Sequence, residues 1–113
     1  MTATRQAELL AGRLARSARE MQPHAQEAAT LLRALANEQR LMILCHLVQE
    51  PLAVGQLNER LPLSQSALSQ HLAVLRDCGV VRTERAAQTV RYSLPSGVVT
   101  KLLGVLHQEF CKR

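Results

Sequence analysis

The chain has 113 residues, the length of one ordinary domain, which argues against a large multidomain enzyme. Apolar residues make up 47% and charged residues 20%, which excludes a disordered or low-complexity chain, and no apolar run nears the roughly 18–20 residues that cross a bilayer. Fourteen basic against nine acidic side chains leave a net charge of +5, which favours a polyanionic partner.

The start, Met1-Thr2-Ala3-Thr4-Arg5, lacks the apolar core of a signal peptide, so a cytoplasmic protein with no membrane role is expected. Leu (20) and Ala (15) dominate, and Tyr92 and Phe110 are the only aromatic residues. Such a chain builds its core from aliphatic ridges between helices, and at this size a second copy is expected to cover part of the apolar surface.

Residues 5–21 space Leu9, Leu10, Leu14, Ala18 and Met21 three to four apart, with Arg13, Arg16, Arg19 and Glu20 between them, which predicts an amphipathic helix. Pro23 interrupts it and suits the first turn of a second helix, residues 24–36, with Ala28, Leu31, Leu32 and Leu35. Asn37 is the predicted N-cap of a third helix. There Leu41, Leu44, Cys45 and Val48 form one stripe, widened by Met42, Ile43 and Leu47, and deep burial is expected. Glu50-Pro51 ends it, Leu52-Ala53 is extended, and residues 54–61 form a small helix stopped by Pro62.

Ser64 then caps a helix that ends at Gly79. Leu68, Leu72 and Leu75 are its core stripe. Ser66, Ser69, Gln70, Ala73 and Arg76 face outward, small or hydrogen-bonding groups where a solvated helix usually carries Glu and Lys. Residues 80–84 and 90–94 read as two strands, and because residues 85–89 hold no Gly, a longer loop is expected between them. After Pro95, Ser96 is the expected cap of a last helix with Val99, Leu102, Leu103, Leu106 and Phe110 on one stripe.

A short helix, a turn at Pro62-Leu63-Ser64 and a helix with a polar outer face form a helix-turn-helix, whose second helix enters the DNA major groove. The hairpin that follows is a wing. Arg82, Arg85 and Arg91 against Glu84 give residues 80–94 a charge of +2, placed to meet phosphates or the minor groove. The fold class is therefore mainly α with a small β-hairpin, a winged helix-turn-helix. The expected DNA-binding residues are Ser64, Gln65, Ser66, Ser69, Gln70, His71, Arg76, Arg82, Arg85 and Arg91. They are expected to act on double-stranded DNA.

From about residue 24 onward the chain resembles the ArsR/SmtB family of winged-helix repressors. The residues that carry the resemblance are Leu35-Ala36-Asn37-Glu38-Gln39-Arg40-Leu41, Leu68-Ser69-Gln70-His71-Leu72-Ala73-Val74-Leu75-Arg76, Gly79-Val80-Val81 and Val90-Arg91-Tyr92-Ser93-Leu94. It implies one domain over residues 1–113, with an N-terminal helix (1–22), helix-turn-helix (54–79), wing (80–94) and C-terminal dimerisation helix (96–113). It also implies a homodimer that joins through helices at both ends, binds an inverted-repeat operator and leaves it on meeting an inducer.

Most metal sites of that family fail here residue by residue. Its cysteine-rich pattern is replaced by Leu52-Ala53-Val54-Gly55-Gln56-Leu57, and the last helix offers only His107 and Glu109, so no metal and no cofactor is expected. Cys45 and Cys111 instead look like the pair of the sulfide- and persulfide-responsive subgroup, of the biofilm growth-associated repressor type. The resemblance makes this pair a thiol switch and reactive sulfur species the inducer. A direct disulfide needs Cα atoms about 4.4–6.8 Å apart, so thiols held slightly too far apart would favour a longer polysulfide link formed through a persulfide. Cys78 matches no partner and reads as a helix-end residue. His24, His46 and His107 read as surface or interface residues.

Other readings are a metal-independent repressor answering general oxidants, a thiol oxidoreductase, a winged helix used for protein contacts, and membrane attachment through residues 5–21. The oxidoreductase lacks a Cys-x-x-Cys motif, a βαβ unit and paired catalytic carboxylates, and the protein is read as no enzyme. The outer face of residues 66–76 argues for DNA over protein contacts.

Overall fold

A computed structural model of the chain describes residues 2–95 and 97–111, except for the side chains of residues 2, 3, 15 and 16. Ser96, the expected cap of the last helix, lies outside the described residues, as does the side chain of Arg16. The chain divides into two compact units, Met1–Thr30 and Leu31–Arg113.

The first unit is helical. Helix α1 (Thr2–Met21) leads through a 3-10 turn (Gln22–His24), with Pro23 in its first turn, into helix α2 (Ala25–Leu35). The apolar residues of α1 follow the expected period, and within the chain Leu9, Leu10, Leu14 and Met21 are exposed.

The second unit holds the buried core. Helix α3 (Glu38–Leu47) starts at Asn37, whose Oδ1 accepts the Arg40 backbone N–H at 3.0 Å, so the predicted cap is present. Arg40 works at the same junction, donating from Nε to the Ala34 carbonyl at 2.6 Å and from Nη2 to the Arg33 carbonyl at 3.1 Å. The Arg33 carbonyl also accepts the Ala36 N–H at 3.2 Å, and the guanidinium adds a side-chain donor to both carbonyls at the end of α2.

Strand β1 (Leu52–Ala53) precedes helix α4 (Val54–Arg60), where the Ala53 N–H donates to Gln56 Oε1 at 2.9 Å. Helix α5 (Gln65–Asp77) is capped by Ser64, whose Oγ accepts the Ala67 N–H at 3.1 Å. Its C-terminus closes with Gly79 N–H on the Arg76 carbonyl and Val80 N–H on the Leu75 carbonyl. That closure needs the left-handed backbone of Gly79, φ +73°, which a Cβ disfavours.

Strands β2 (Arg82–Ala86) and β3 (Thr89–Ser93) complete an antiparallel sheet of order β1-β3-β2, with Leu52 opposite Tyr92 and Arg85 opposite Val90. The expected long loop is instead a two-residue turn, Ala87-Gln88, because Ala87 takes φ +60° itself and so replaces the missing glycine. Helix α6 (Gly97–Phe110) closes the described chain.

Leu68, Leu72 and Leu75 of α5 are buried, as the stripe predicts, with Ile43, Leu44, Leu52, Leu57, Val80 and Val99 around them. The expected deep burial of α3 fails on one side. Ile43, Leu44 and Leu47 enter the core, whereas Met42 is 44% and Val48 42% exposed and Cys45 is exposed. A ten-residue helix packed on one side turns only that side inward. Helix α6 divides likewise, with Val99 and Leu103 buried and Leu106 and Phe110 exposed.

Candidate functional site

Helices α4 and α5 are joined by residues 61–64, and Asn58 fixes the turn by donating from Nδ2 to the Leu63 carbonyl at 2.8 Å. Leu57, Leu61, Leu68 and Leu72 anchor both helices from beneath, so the outer face of α5 is carried on a rigid base. On that face Gln65, Ser66, Ser69, Gln70 and Arg76 are exposed, and His71 is half-buried. Ser64 Oγ already accepts the capping bond and lies 3.5 Å from Ser66 Oγ. Arg76 Nε lies 4.0 Å from Asp77 Oδ1, an exposed pair of small energetic weight. These groups offer amide and hydroxyl hydrogen bonds at the start of a helix and a cation near its end, the chemistry that reads base edges and phosphates.

The three wing arginines are all exposed, but they do not form one patch. Cross-strand partners share a face of the pleat and neighbours along a strand alternate. With Glu84 opposite Arg91 and Arg82 opposite Ser93, Arg82, Glu84 and Arg91 stand on one face. Arg85, opposite Val90, stands on the other. Arg82 Nε is 3.9 Å from Glu84 Oε1, so part of the positive field of the first face is offset by its own carboxylate.

The thiols form a second group. Cys45 of α3 and Cys111, just past α6, line one hollow of about 330 Å³ with His107. The rest of its wall is apolar, from Leu41 and Met42 on one helix and Leu103, Leu106 and Phe110 on the other. Both thiols are free. Cys45 is partly screened from water, and burial first, then the charge of nearby Cys111, push its thiol pKa above the usual range. Cys45, Leu103 and His107 also border a second hollow of about 410 Å³, with Val48, Gln49, Thr100 and Gly104. Cys78 is half-buried at the end of α5, packed against the core, as its place beside Gly79 suggested.

Sequence reasoning missed Asn58, Arg40 and the surroundings of Cys45. His107 lies one helical turn before Cys111, whose N–H donates to the His107 carbonyl at 2.9 Å, and that four-residue spacing was its only local signal. The roles of Asn58 and Arg40 depend on carbonyls whose positions no residue type announces. Among the described residues no three of His, Cys, Asp and Glu converge as metal ligands, and no helix is long and apolar enough to cross a membrane.

Comparison with known proteins gives the arrangement a lineage. Residues 37–83, from the cap of α3 into the wing, match the family described as bacterial regulatory protein, arsR family. The transcriptional activator HlyU of Vibrio cholerae is 52% identical over 93 residues, 82% of this chain and 86% of that protein. A biofilm growth-associated repressor of Xylella fastidiosa is 37% identical over 92 residues, 81% of each chain. The solved structure of the transcriptional repressor BigR from Xylella fastidiosa superposes with a TM-score of 0.76 at 36% identity, covering 84% of this chain and 97% of that one. With the helix-turn-helix, the wing and these relatives in agreement, the chain is a winged-helix transcriptional regulator that belongs to the arsR family of bacterial regulatory proteins.

Proposed function

We propose that the protein is a cytoplasmic, homodimeric repressor whose hold on an inverted-repeat operator is released when Cys45 and Cys111 become covalently linked. One observation carries the switch: two thiols far apart in sequence line the same apolar hollow within one chain. The exposed apolar residues of α1 and α6, including Leu9, Leu14, Val105 and Phe110, support a partner copy, and one neighbour in structure is a homodimeric winged helix-turn-helix domain. Two α5 helices then reach successive major grooves about 34–36 Å apart, while the wings reach the backbone or minor groove.

The link balances without an outside oxidant if the inducer carries sulfane sulfur. A hydropersulfide R–S–S–H gives its terminal sulfur to the Cys45 thiolate and leaves as R–SH. Attack by the Cys111 thiolate on Cys45 Sγ then expels HS⁻ and makes a two-sulfur bridge. A second donor converts Cys45–S–SH to Cys45–S–S–SH and leaves as a second R–SH. Attack by the Cys111 thiolate on the middle sulfur then expels HS⁻ and makes a three-sulfur bridge, long enough to join the helices without distorting them. Joining α3 to the end of α6 changes the freedom of the two reading heads. About 1.4 kcal/mol of differential stability already lowers operator affinity tenfold.

The test is a DNA-shift titration at about 150 mM salt, near physiological screening, with mass spectrometry of the Cys45–Cys111 species after persulfide or peroxide treatment. The expected result is dimer binding to an inverted repeat upstream of the gene itself, in preference to random DNA, and release in step with a bridge containing inserted sulfur. Release of a Cys111→Ser protein by persulfide overturns the switch. A two-sulfur bridge formed equally well by peroxide favours the general-oxidant reading.

A further inference from the structure

We propose that the hollow bordered by Gln49, Thr100, Gly104 and His107 is the docking site of the sulfur donor, a hydropersulfide with a small polar organic part, and that His107 carries the proton of the transfer. This rests on the thiol-switch reading above.

The argument starts from the place of Cys45 between two hollows. The hollow with Cys111 has apolar walls apart from its two thiols and His107. The other holds no second thiol, and the residues that line it with Cys45 include an amide-bearing Gln49, a hydroxyl-bearing Thr100 and the same His107. Sulfur transfer needs room on one side for the donor and its leaving thiol and a separate approach for the resolving thiol. The hollow with Gln49 and Thr100 offers the first and the hollow with Cys111 the second. Its volume of about 410 Å³ falls within the range of ~300–1,000 Å³ usual for small-molecule sites.

Gly104 is the independent sign. A glycine inside a helix is less favourable than alanine. A Cβ at Gly104 would meet no atom within 4 Å, so packing inside the chain does not demand glycine there. What glycine provides is open space on the wall of the hollow that touches Cys45.

The chemistry needs a proton acceptor, because burial and the charge of Cys111 both favour the protonated Cys45 thiol. Among the described residues bordering the two hollows, only Cys45, His107 and Cys111 bear an ionisable side chain, and Gln49, Thr100 and the apolar side chains carry no charge. In the step assigned here the His107 imidazole takes the proton from Cys45 Sγ. The thiolate attacks the terminal sulfur of R–S–S–H, the S–S bond breaks, and its electron pair leaves on R–S⁻. The imidazolium then protonates that sulfur, giving R–SH and Cys45–S–SH, and Cys111 attacks from the apolar side.

The experiment follows Cys45 persulfidation by stopped flow in the reduced, full-length protein, using glutathione persulfide and hydrogen disulfide as probes, with circular-dichroism melting to verify the fold of each variant. His107→Gln is expected to lose about a hundredfold in rate at neutral pH, the low end of acid–base contributions, and to recover most of it at alkaline pH where hydroxide ionises the thiol. Gly104→Leu is expected to slow glutathione persulfide about tenfold, the scale of a few misplaced methylenes, and to spare hydrogen disulfide. Rates unchanged in both variants, or lowered equally for both probes at every pH, overturn the proposal even if bridging and operator release proceed. Sulfur uptake that depends on His107 and Gly104 without bridging or release upholds the docking site and sinks the switch. Thr100→Val, expected to raise the half-saturating concentration of glutathione persulfide, serves if Gly104→Leu does not fold.

Discussion

Glu84 stands directly opposite Arg91 across the β2–β3 ladder, on the wing face that also carries Arg82. The carboxylate therefore moderates two of the three wing cations, while Arg85 on the other face has no such neighbour in the register. If the wing enters a groove edge-on, both faces touch DNA. Arg85→Ala and Arg91→Ala are each expected to weaken binding to all sequences evenly and to flatten the salt dependence by about one unit of slope. Glu84→Gln is expected to tighten binding to all sequences alike. Fluorescence anisotropy over a salt series measures all three, and loss in only one arginine variant restricts contact to that face.

Gln70 lies exposed on the outer face of α5, on a turn anchored by Leu68 and Leu72. An amide can bond a base edge in pairs, so Gln70→Ala is expected to reduce discrimination between operator and random DNA by about 1–3 kcal/mol at one base position. The salt slope should stay as it is. A parallel loss on all sequences would make Gln70 a backbone contact.

The thiols separate by position. Cys45→Ser and Cys111→Ser are each expected to keep operator binding and lose release by persulfide, since either change leaves the shared hollow with one thiol. Cys78→Ser should respond like the natural chain, because Cys78 sits at the end of α5 and does not line that hollow. A persulfide-blind Cys78→Ser protein contradicts this assignment.

The direction of the Cys45 shift fixes a pH dependence. Native Cys45 holds its proton more tightly than an unfolded thiol, first through burial and second through the charge of Cys111. Its stability contribution is therefore present below the unfolded thiol pKa and fades as pH rises through the higher native value. Thiolate ultraviolet absorbance should show Cys45 titrating above the usual thiol range. Cys111→Ser should move that midpoint down without returning it fully, since burial remains. A midpoint at or below the ordinary value refutes the coupling.

The junction of α2 and α3 is the cheapest place to unsettle the core without touching either site. Asn37→Ala removes the cap on Arg40 N–H and is expected to cost about 1 kcal/mol. Arg40→Met leaves the Ala34 and Arg33 carbonyls without the guanidinium and is expected to cost about 1–3 kcal/mol. The double variant should lose less than the sum, because both side chains fix the same turn. Urea denaturation with unchanged m-values is the measurement.

Local chemistry made much of this protein legible from its sequence. Asn37, Ser64 and Gly79 mark helix ends because each supplies a bond or a backbone conformation needed within a few residues, and all three act as expected. The stripe Leu68, Leu72 and Leu75 follows from the helical period, and with the polar outer face it declared the helix-turn-helix. Tertiary structure decided which side of a broadly apolar helix turns inward. Period alone did not separate Leu44, which is buried, from neighbouring Cys45, which opens to a hollow shared with α6. The same holds for the wing, where strand register, set by Ala87 accepting a left-handed turn, divides three arginines between two faces. Residue type records what a side chain can do, but only the packing of distant elements fixes what it stands beside, and at Cys45 that neighbour is the chemistry.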